Sequence, residues 1–274
     1  MSTAPVFEGS DGRFVATELG RGPWDPGALH GGAPAALLMR AFENLPAAEG
    51  LAVARVTYEF MRPVPVGPVE VRAEVVRPGR RIQLLEGSIV AGGVEVVRAR
   101  ALQVQAADAG GAGSADAGGA GSADAGGAGS ADTPAPPGPE HGRPTGLRPP
   151  YRPMFALDAI EIVFVAGDWG GGPSTAWFRL RGPIVAGETP SALQRLAAAG
   201  DFGNGISATL SWYEYLYINP DLTLYVEREP VGEWICLESL TRISADGIGL
   251  AESVLFDQRG RIGRATQALL IAPR

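Results

Sequence analysis

A chain of 274 residues holds two domains of ordinary size or one large one, and at 45% apolar content it is too hydrophobic to be disordered throughout. Lys and Arg number 23 against 30 Asp and Glu, and the net charge of −7 argues against a nucleic-acid binder. One cysteine, Cys236, and two histidines, His30 and His141, exclude an internal disulfide and leave little for a metal site.

The first residues, MSTAPVFEGSDGR, show neither a basic leader nor an apolar core. No apolar run approaches the ~18 residues of a membrane span, so a soluble, cytoplasmic protein with no membrane span is expected. From Gly32, GAPAALLMRAFENL sets Leu37, Ala41 and Leu45 on one helical face with Leu38 and Phe42 beside them. Pro34 falls in the first turn, where its missing N–H is harmless. Val56, Tyr58 and Phe60, then Val69, Val71, Ala73 and Val75, alternate with polar residues as half-buried strands do. Arg77-Pro78-Gly79-Arg80-Arg81 reads as a hairpin tip and Gly92-Gly93 as a turn.

From Asp108 the octapeptide DAGGAGSA runs three times, to Ala131, and TPAPPGPEHGRP follows. A stretch with nothing apolar to bury cannot recover its backbone entropy, so a tether is predicted. The division is an N-terminal unit over 1–106, a Gly/Ala/Ser- and Pro-rich flexible linker over 107–148 and a C-terminal unit over 149–274. In the second unit Thr189 as N-cap and Pro190 at N1 start a helix that SALQRLAAAGDF carries for three turns.

The two units resemble each other. Met61-Arg62-Pro63-Val64-Pro65-Val66-Gly67 leads into a strand ending at Arg77, and Glu227-Arg228-Glu229-Pro230-Val231-Gly232 into one ending at Arg242. Both 230 − 65 and 242 − 77 give 165, a shared offset that suggests an internal duplication. Each unit reads as a strand, one helix and about four long strands in meander order. An antiparallel sheet wrapped around one apolar helix satisfies that pattern, an α+β fold.

Among chemistry-bearing residues, Asp201 closes the second helix, an end where the macrodipole opposes a carboxylate, so its presence hints at a purpose. Gly31 and Gly32 precede the first helix and let a ligand approach its free N–H groups. Trp212, Tyr213, Tyr215 and Tyr217 fit core packing or the wall of an acyl tunnel. Cys236 alternates within a strand as a core thiol does. Ser114, Ser122 and Ser130 have no nucleophile elbow around them.

Trp24-Asp25-Pro26-Gly27-Ala28-Leu29-His30-Gly31-Gly32 opening a helix, followed by RVTYEFMRPVPVG, resembles the first half of bacterial acyl-CoA thioesterases of the thioesterase II type. LQRLAAAGDFGNG, NPDLTLYVEREPVGEW and GRIGRATQALL resemble their second half, so the likeness covers about residues 14–105 and 150–272. That resemblance implies a double hot-dog, two antiparallel sheets each wrapped around a central helix and continuing into one another. It also implies hydrolysis of acyl-CoA thioesters by a water held by an Asp, a Thr and a Gln. The matching positions are Asp201, Asn219, where the family usually has Thr, and Gln267, one residue short when counted from Gly260. Either a bulge or a misalignment accounts for that residue, and a one-residue slip would send the side chain to the other face of the sheet.

The resemblance further implies that His30, Gly31 and Gly32 line the substrate channel. Arg62 and Arg228, at equivalent points of the two units, either bind coenzyme A phosphates or pair with local carboxylates such as Glu59 and Glu227. Asp25 and His30 have the D-x₄-H spacing of hot-dog enoyl-CoA hydratases, a rival reading without the rest of that signature. A second alternative is an acyl-CoA or lipid binder without catalysis. Coenzyme A arrives on the substrate, so no metal or bound cofactor is implied. Acyl-CoA is the expected partner, in lipid metabolism, and two such chains can associate as a homodimer.

Overall fold

The computed structural model describes residues 4–106, 133–148, 151–211 and 214–274. A short hairpin of β1 (Phe7–Ser10) and β2 (Arg13–Ala16) leads to α1 (Gly32–Glu43). Four long strands follow, β3 (Leu51–Phe60), β4 (Gly67–Arg77), β5 (Ile82–Ala91) and β6 (Val94–Gln105). The second half begins with β7 (Arg143–Pro144), β8 (Ile160–Ala166) and β9 (Ser174–Leu180). It continues with α2 (Ala192–Gly200), the single turn α3 (Gly203–Ile206), β10 (Tyr215–Ile218), β11 (Asp221–Val226), β12 (Ile235–Ile243), β13 (Ile248–Asp257) and β14 (Gly260–Pro273).

The strands form one hydrogen-bonded path, β1-β2-β4-β5-β6-β3-β11-β14-β13-β12-β9-β8-β7, with β10 paired to β14. The halves run this path as mirror copies: β4-β5-β6-β3 on one side and β12-β13-β14-β11 on the other. Neither half is the plain meander expected from sequence. Three strands meander, and the one that follows the helix first in sequence (β3, or β11) returns to the far side of the third. That placement leaves β3 and β11 as neighbours, and their antiparallel ladder joins the halves, with Thr57 and Thr223 hydroxyls 3.1 Å apart at its middle.

Local chemistry explains the turns. Gly92 and Gly93 have φ of 56° and 80°, the pair of positive values that a two-residue hairpin between β5 and β6 requires. Arg77 to Arg81 cap the β4–β5 hairpin as expected. α2 starts later than Thr189-Pro190 predicts. Ser191 is its N-cap, with Oγ accepting from Gln194 N–H at 3.0 Å, so Pro190 lies ahead of the helix instead of inside it.

α1 is buried from Gly32 through Met39 and again at Phe42, so it is a central rod more than an amphipathic helix with one apolar face. It packs on β4, β5 and β6, and α2 on β9, β11 and β12, while the helices pack on each other. One apolar cluster, from Val6 to Ala265, contains both helices and the inner faces of both halves. Arg40 forks onto Glu188 at 2.5 Å through Nε and Nη2, tying α1 to the segment before α2.

Of the expected linker, residues 107–132 lie outside the described residues, and with them the octapeptide repeats and Ser114, Ser122 and Ser130. Residues 133–148 do not hang free. β7 pairs with β8, Trp177 Nε1 donates to Pro137 O at 2.7 Å, and Ala135 packs on the Val163–Trp177–Cys236–Phe256 cluster. Composition hides this, because the apolar partner lies on another strand. Cys236 is a buried core thiol, and burial raises its pKa. Tyr217 is buried and Tyr215 half-buried in a second apolar cluster; Trp212 and Tyr213 lie outside the described residues.

Candidate active site

The fold brings the C-terminus of α2 against the N-terminus of α1. Their approach depends on two glycines. A Cβ on Gly32 would sit 2.4 Å from Ala198 O, and one on Gly31 2.6 Å from Asp201 Oδ2. The room left by Gly31 and Gly32 therefore admits the second helix and its carboxylate, where the sequence suggested room for a ligand.

Asp201, the C-cap of α2, is only 4% exposed. Its Oδ1 accepts from Asn219 Nδ2 at 2.7 Å and from Gln267 Nε2 at 3.1 Å. Its Oδ2 lies 3.1 Å from His30 Nδ1. The carboxyl pKa is pushed up to about 7, because burial outweighs the donors from Asn219, Gly32 N–H and Gln267 that favour the charged form. His30, stacked on Phe202 at 4.2 Å and beside Phe155 at 5.3 Å, is driven down to about 3 by burial and is neutral near pH 7. Gly32 N–H donates to His30 Nδ1 at 3.1 Å and also bonds the carboxylate, and because the ring stays neutral the proton gained or lost near pH 7 is that of Asp201.

Gln267 is 1% exposed on β14 opposite Ala251. The register shifts between Leu255 and Phe256, where Leu255 faces Gly263 and Phe256 faces Arg261. Ile262 is the extra residue of this bulge, which reverses the alternation along β14 and turns Gln267 inward. Asn219 stands two residues ahead of β11, and its Nδ2 also reaches Asp221 O at 3.2 Å. Half-buried Asp221 accepts from Ala268 N–H at 2.6 Å, and burial raises its pKa.

The other candidates separate from this cluster. Arg228 forks onto the fully buried Asp257 at 2.5 and 2.6 Å and reaches Gly260 O at 3.1 Å, so it fixes the β13–β14 turn. Gly260 and Gln267 are seven residues apart on β14 with one step taken up by the bulge, about 20 Å at ~3.3 Å per residue, which takes Arg228 out of the cluster. Its partner is Asp257 and not Glu227, which pairs with Arg261. Arg62 is exposed, and its backbone N–H donates to Val96 O at 3.2 Å. Asp25 is exposed and its Oδ1 accepts from Gly27 N–H at 2.7 Å, so the Asp25–His30 dyad of a hydratase does not form. His30 faces Asp201 instead.

Three features were not singled out from sequence. Asn204 N–H donates to Gln267 Oε1 at 3.0 Å, and Asn204 Nδ2 lies 3.4 Å from Asn219 Oδ1. Phe155 and Phe202 wall in His30. Ser239 and Ser253, 2.7 Å apart, form the floor under Gly203. The sequence signal for the first was G-N-G, three residues after Asp201. Among the described residues no three His, Cys, Asp or Glu side chains are grouped to hold a metal ion, and no helix is long and apolar enough to cross a membrane.

The comparisons agree with this architecture. A family model described as the acyl-CoA thioesterase N-terminal domain matches residues 20–104, and one for the C-terminal domain matches 130–271. A conserved protein of unknown function with a hot-dog fold from Alicyclobacillus acidocaldarius superposes with a TM-score of 0.70, at 16% identity over 97% of this chain and 95% of its own. The acyl-CoA thioesterase II TesB2 from Mycobacterium marinum gives 0.60, at 15% identity over 96% and 92%. A tesB protein from Mycobacterium avium subs paratuberculosis gives 0.61, at 16% identity over 95% and 93%. No curated protein matches. The likeness to those structures establishes a hot-dog fold, mostly antiparallel sheet with few helices. With two domain models in sequence order over most of its length, the chain belongs to the acyl-CoA thioesterase family and is a thioester hydrolase.

Proposed function

We propose that this protein hydrolyses acyl-CoA to the free carboxylic acid and coenzyme A, with Asp201 as general base and Asn219 and Gln267 as the groups that orient the attacking water. The observation that carries the reading is the convergence of both amides on Oδ1 of a buried carboxyl whose pKa lies near 7. A base poised near the working pH is the efficient one, and such help is worth on the order of 10²–10⁴-fold. The water oxygen attacks the thioester carbonyl carbon while its proton passes to Asp201. The tetrahedral oxyanion then collapses, the C–S bond breaks and the sulfur takes the proton as coenzyme A thiol.

His30 Nδ1 lies 3.1 Å from Asp201 Oδ2, and its neutral ring keeps positive charge away from the carboxyl. Arg62, exposed to solvent, is the candidate for contact with the coenzyme A phosphates. Coenzyme A comes with the substrate, and the reading calls for no other cofactor. The repeated strand order and the two packed helices support a double hot-dog, one unit on either side of the 107–132 stretch. A role in cytoplasmic lipid metabolism and association as a homodimer belong to the same proposal.

The test is release of free thiol from a chain-length panel of acyl-CoAs, with Asp201→Ala as the control. Hydrolysis lost in that variant is the expected result. Acyl-CoA binding without thiol release, or activity that survives Asp201→Ala, overturns it.

A further inference from the structure

We infer that Asn204 is a positioning residue: its backbone N–H and its side-chain amide fix which ends of Gln267 and Asn219 face Asp201. The inference rests on the reading of Asp201 given above and adds what holds its two amide partners in place.

A carboxamide has two ends of nearly equal shape and opposite hydrogen-bonding character. Turned one way, Gln267 and Asn219 give a carboxylate N–H donors; turned the other, they oppose it with carbonyl oxygens. What decides is the group behind each amide. Behind Gln267 stands Asn204 N–H, 3.0 Å from Oε1, which leaves Nε2 facing Asp201 Oδ1 at 3.1 Å and Asp201 O at 3.3 Å. Behind Asn219 stands Asn204 Nδ2, 3.4 Å from Oδ1, which leaves Nδ2 facing Asp201 Oδ1 at 2.7 Å. Asn204 is 7% exposed, so little water competes for these bonds.

Gly203 brings it there. A Cβ at that position would lie 2.6 Å from Ser253 Oγ and 3.0 Å from Gln267 Oε1, so a larger residue would push both groups aside from where Asn204 N–H meets Gln267. The arrangement also accounts for Asn at 219 where the resemblance leads one to expect Thr. A hydroxyl rotates and both donates and accepts on one atom, so it needs no support from behind. An amide does need it, and Asn204 supplies it.

Asn204 and Asn219 are therefore a coupled pair, and a double-mutant cycle reads the coupling. The wild type, Asn204→Ala, Asn219→Thr and the double variant are compared by kcat and KM on acyl-CoA. The Asp201 carboxyl is titrated separately by ¹³C NMR, assigned with Asp201→Asn. His30 and Asp221 are the titratable groups that bear on it from α1 and β11, while β14 presents the amide of Gln267. Asn204→Ala is expected to lower kcat about fivefold to tenfold, one hydrogen bond's worth, with KM unchanged and the Asp201 titration moved upward. In the Asn219→Thr background the same change should alter kcat less than about twofold. Asn204→Asp keeps the shape and the backbone N–H but removes the side-chain donor, and is expected to do at least as much harm. An unmoved titration in both variants, or an equal loss of kcat in both backgrounds, overturns the proposal. A wild type without hydrolase activity would count against the function above, and the titration would still decide the role of Asn204.

Discussion

Asp201 and His30 move a proton on folding, and the pH dependence of stability should show it. The buried carboxyl is displaced from its ordinary 3.8 to about 7, so it favours the fold at low pH and that advantage is lost as pH rises between those values. About three units at ~1.36 kcal/mol each amount to ~4 kcal/mol. His30 is displaced from 6.5 to about 3, so its contribution has the opposite sign and is lost as pH falls through that window. From about pH 4 to 6.5 the unfolded chain carries the proton on the imidazole and the folded chain carries it on the carboxyl. The two slopes cancel, and this pair gives the wild type almost no pH dependence there. Asp201→Asn leaves the histidine alone, and stability should rise with pH by ~1.4 kcal/mol per unit over that interval. His30→Asn leaves the carboxyl alone, and stability should fall with pH up to about 7. Urea denaturation followed by tryptophan fluorescence at half-unit steps from pH 4 to 8 measures all three. Parallel curves for the wild type and Asp201→Asn would refute the reasoning, because they would mean that the carboxyl keeps an ordinary affinity for protons in the fold.

Other consequences are separate. Thiol release should rise with pH along a limb centred near 7 as Asp201 ionises, and a flat profile from pH 5 to 8 would remove it as the base. Gly31→Ala places a methyl 2.6 Å from Asp201 Oδ2; kcat should fall at least tenfold, with ~1–3 kcal/mol of stability lost in denaturation. Arg228→Ala strands the buried Asp257 and should cost about 3 kcal/mol, the low end for a buried pair because Arg228 is itself partly exposed, while KM stays unchanged. Cys236 should resist a disulfide-exchange reagent until the protein unfolds, at a rate set by the denaturant concentration.

Much of this was legible in the sequence, for local reasons. Alternation marked β3 and β4 and an apolar Ala-rich run marked α1, since each signal lies within a few residues of its cause, and the shared offset pointed to the repeated strand order. Asp201 was legible because a carboxylate at a helix C-terminus contradicts the macrodipole. What escaped is set by partners far along the chain. The return of β3 past β6 depends on β11, more than a hundred residues on. The seat of residues 133–148 depends on Trp177. The inward turn of Gln267 depends on a bulge at Leu255 and Phe256, which periodicity cannot locate. The proper partner of Arg228 was missed because Asp257 is distant in sequence and adjacent only across the sheet.

The repeated strand order builds two helix junctions, and they differ in the polar groups around their carboxylates. Antiparallel packing sets the end of α2 against the start of α1 and the end of α1 against the start of α2. At the second junction Glu43 Oε2 accepts from Ser191 Oγ at 2.8 Å and Gln194 Nε2 at 3.0 Å, both from the facing helix, and Glu43 lies on the surface. At the first, the donors to Asp201 Oδ1 come from the sheet, Asn219 ahead of β11 and Gln267 on β14, and the carboxylate is closed in by the rings around His30. Burial raises the pKa of Glu43 too, against the bonds from Gln194 and Ser191. Asp201, only 4% exposed, is pushed up to about 7, because burial opposes its charge more strongly than the amides favour it. The two junctions thus differ in the strands that deliver amides to Asp201 and in the aromatic rings stacked on its histidine neighbour. Transplanting an acidic residue to the end of a helix would reproduce neither.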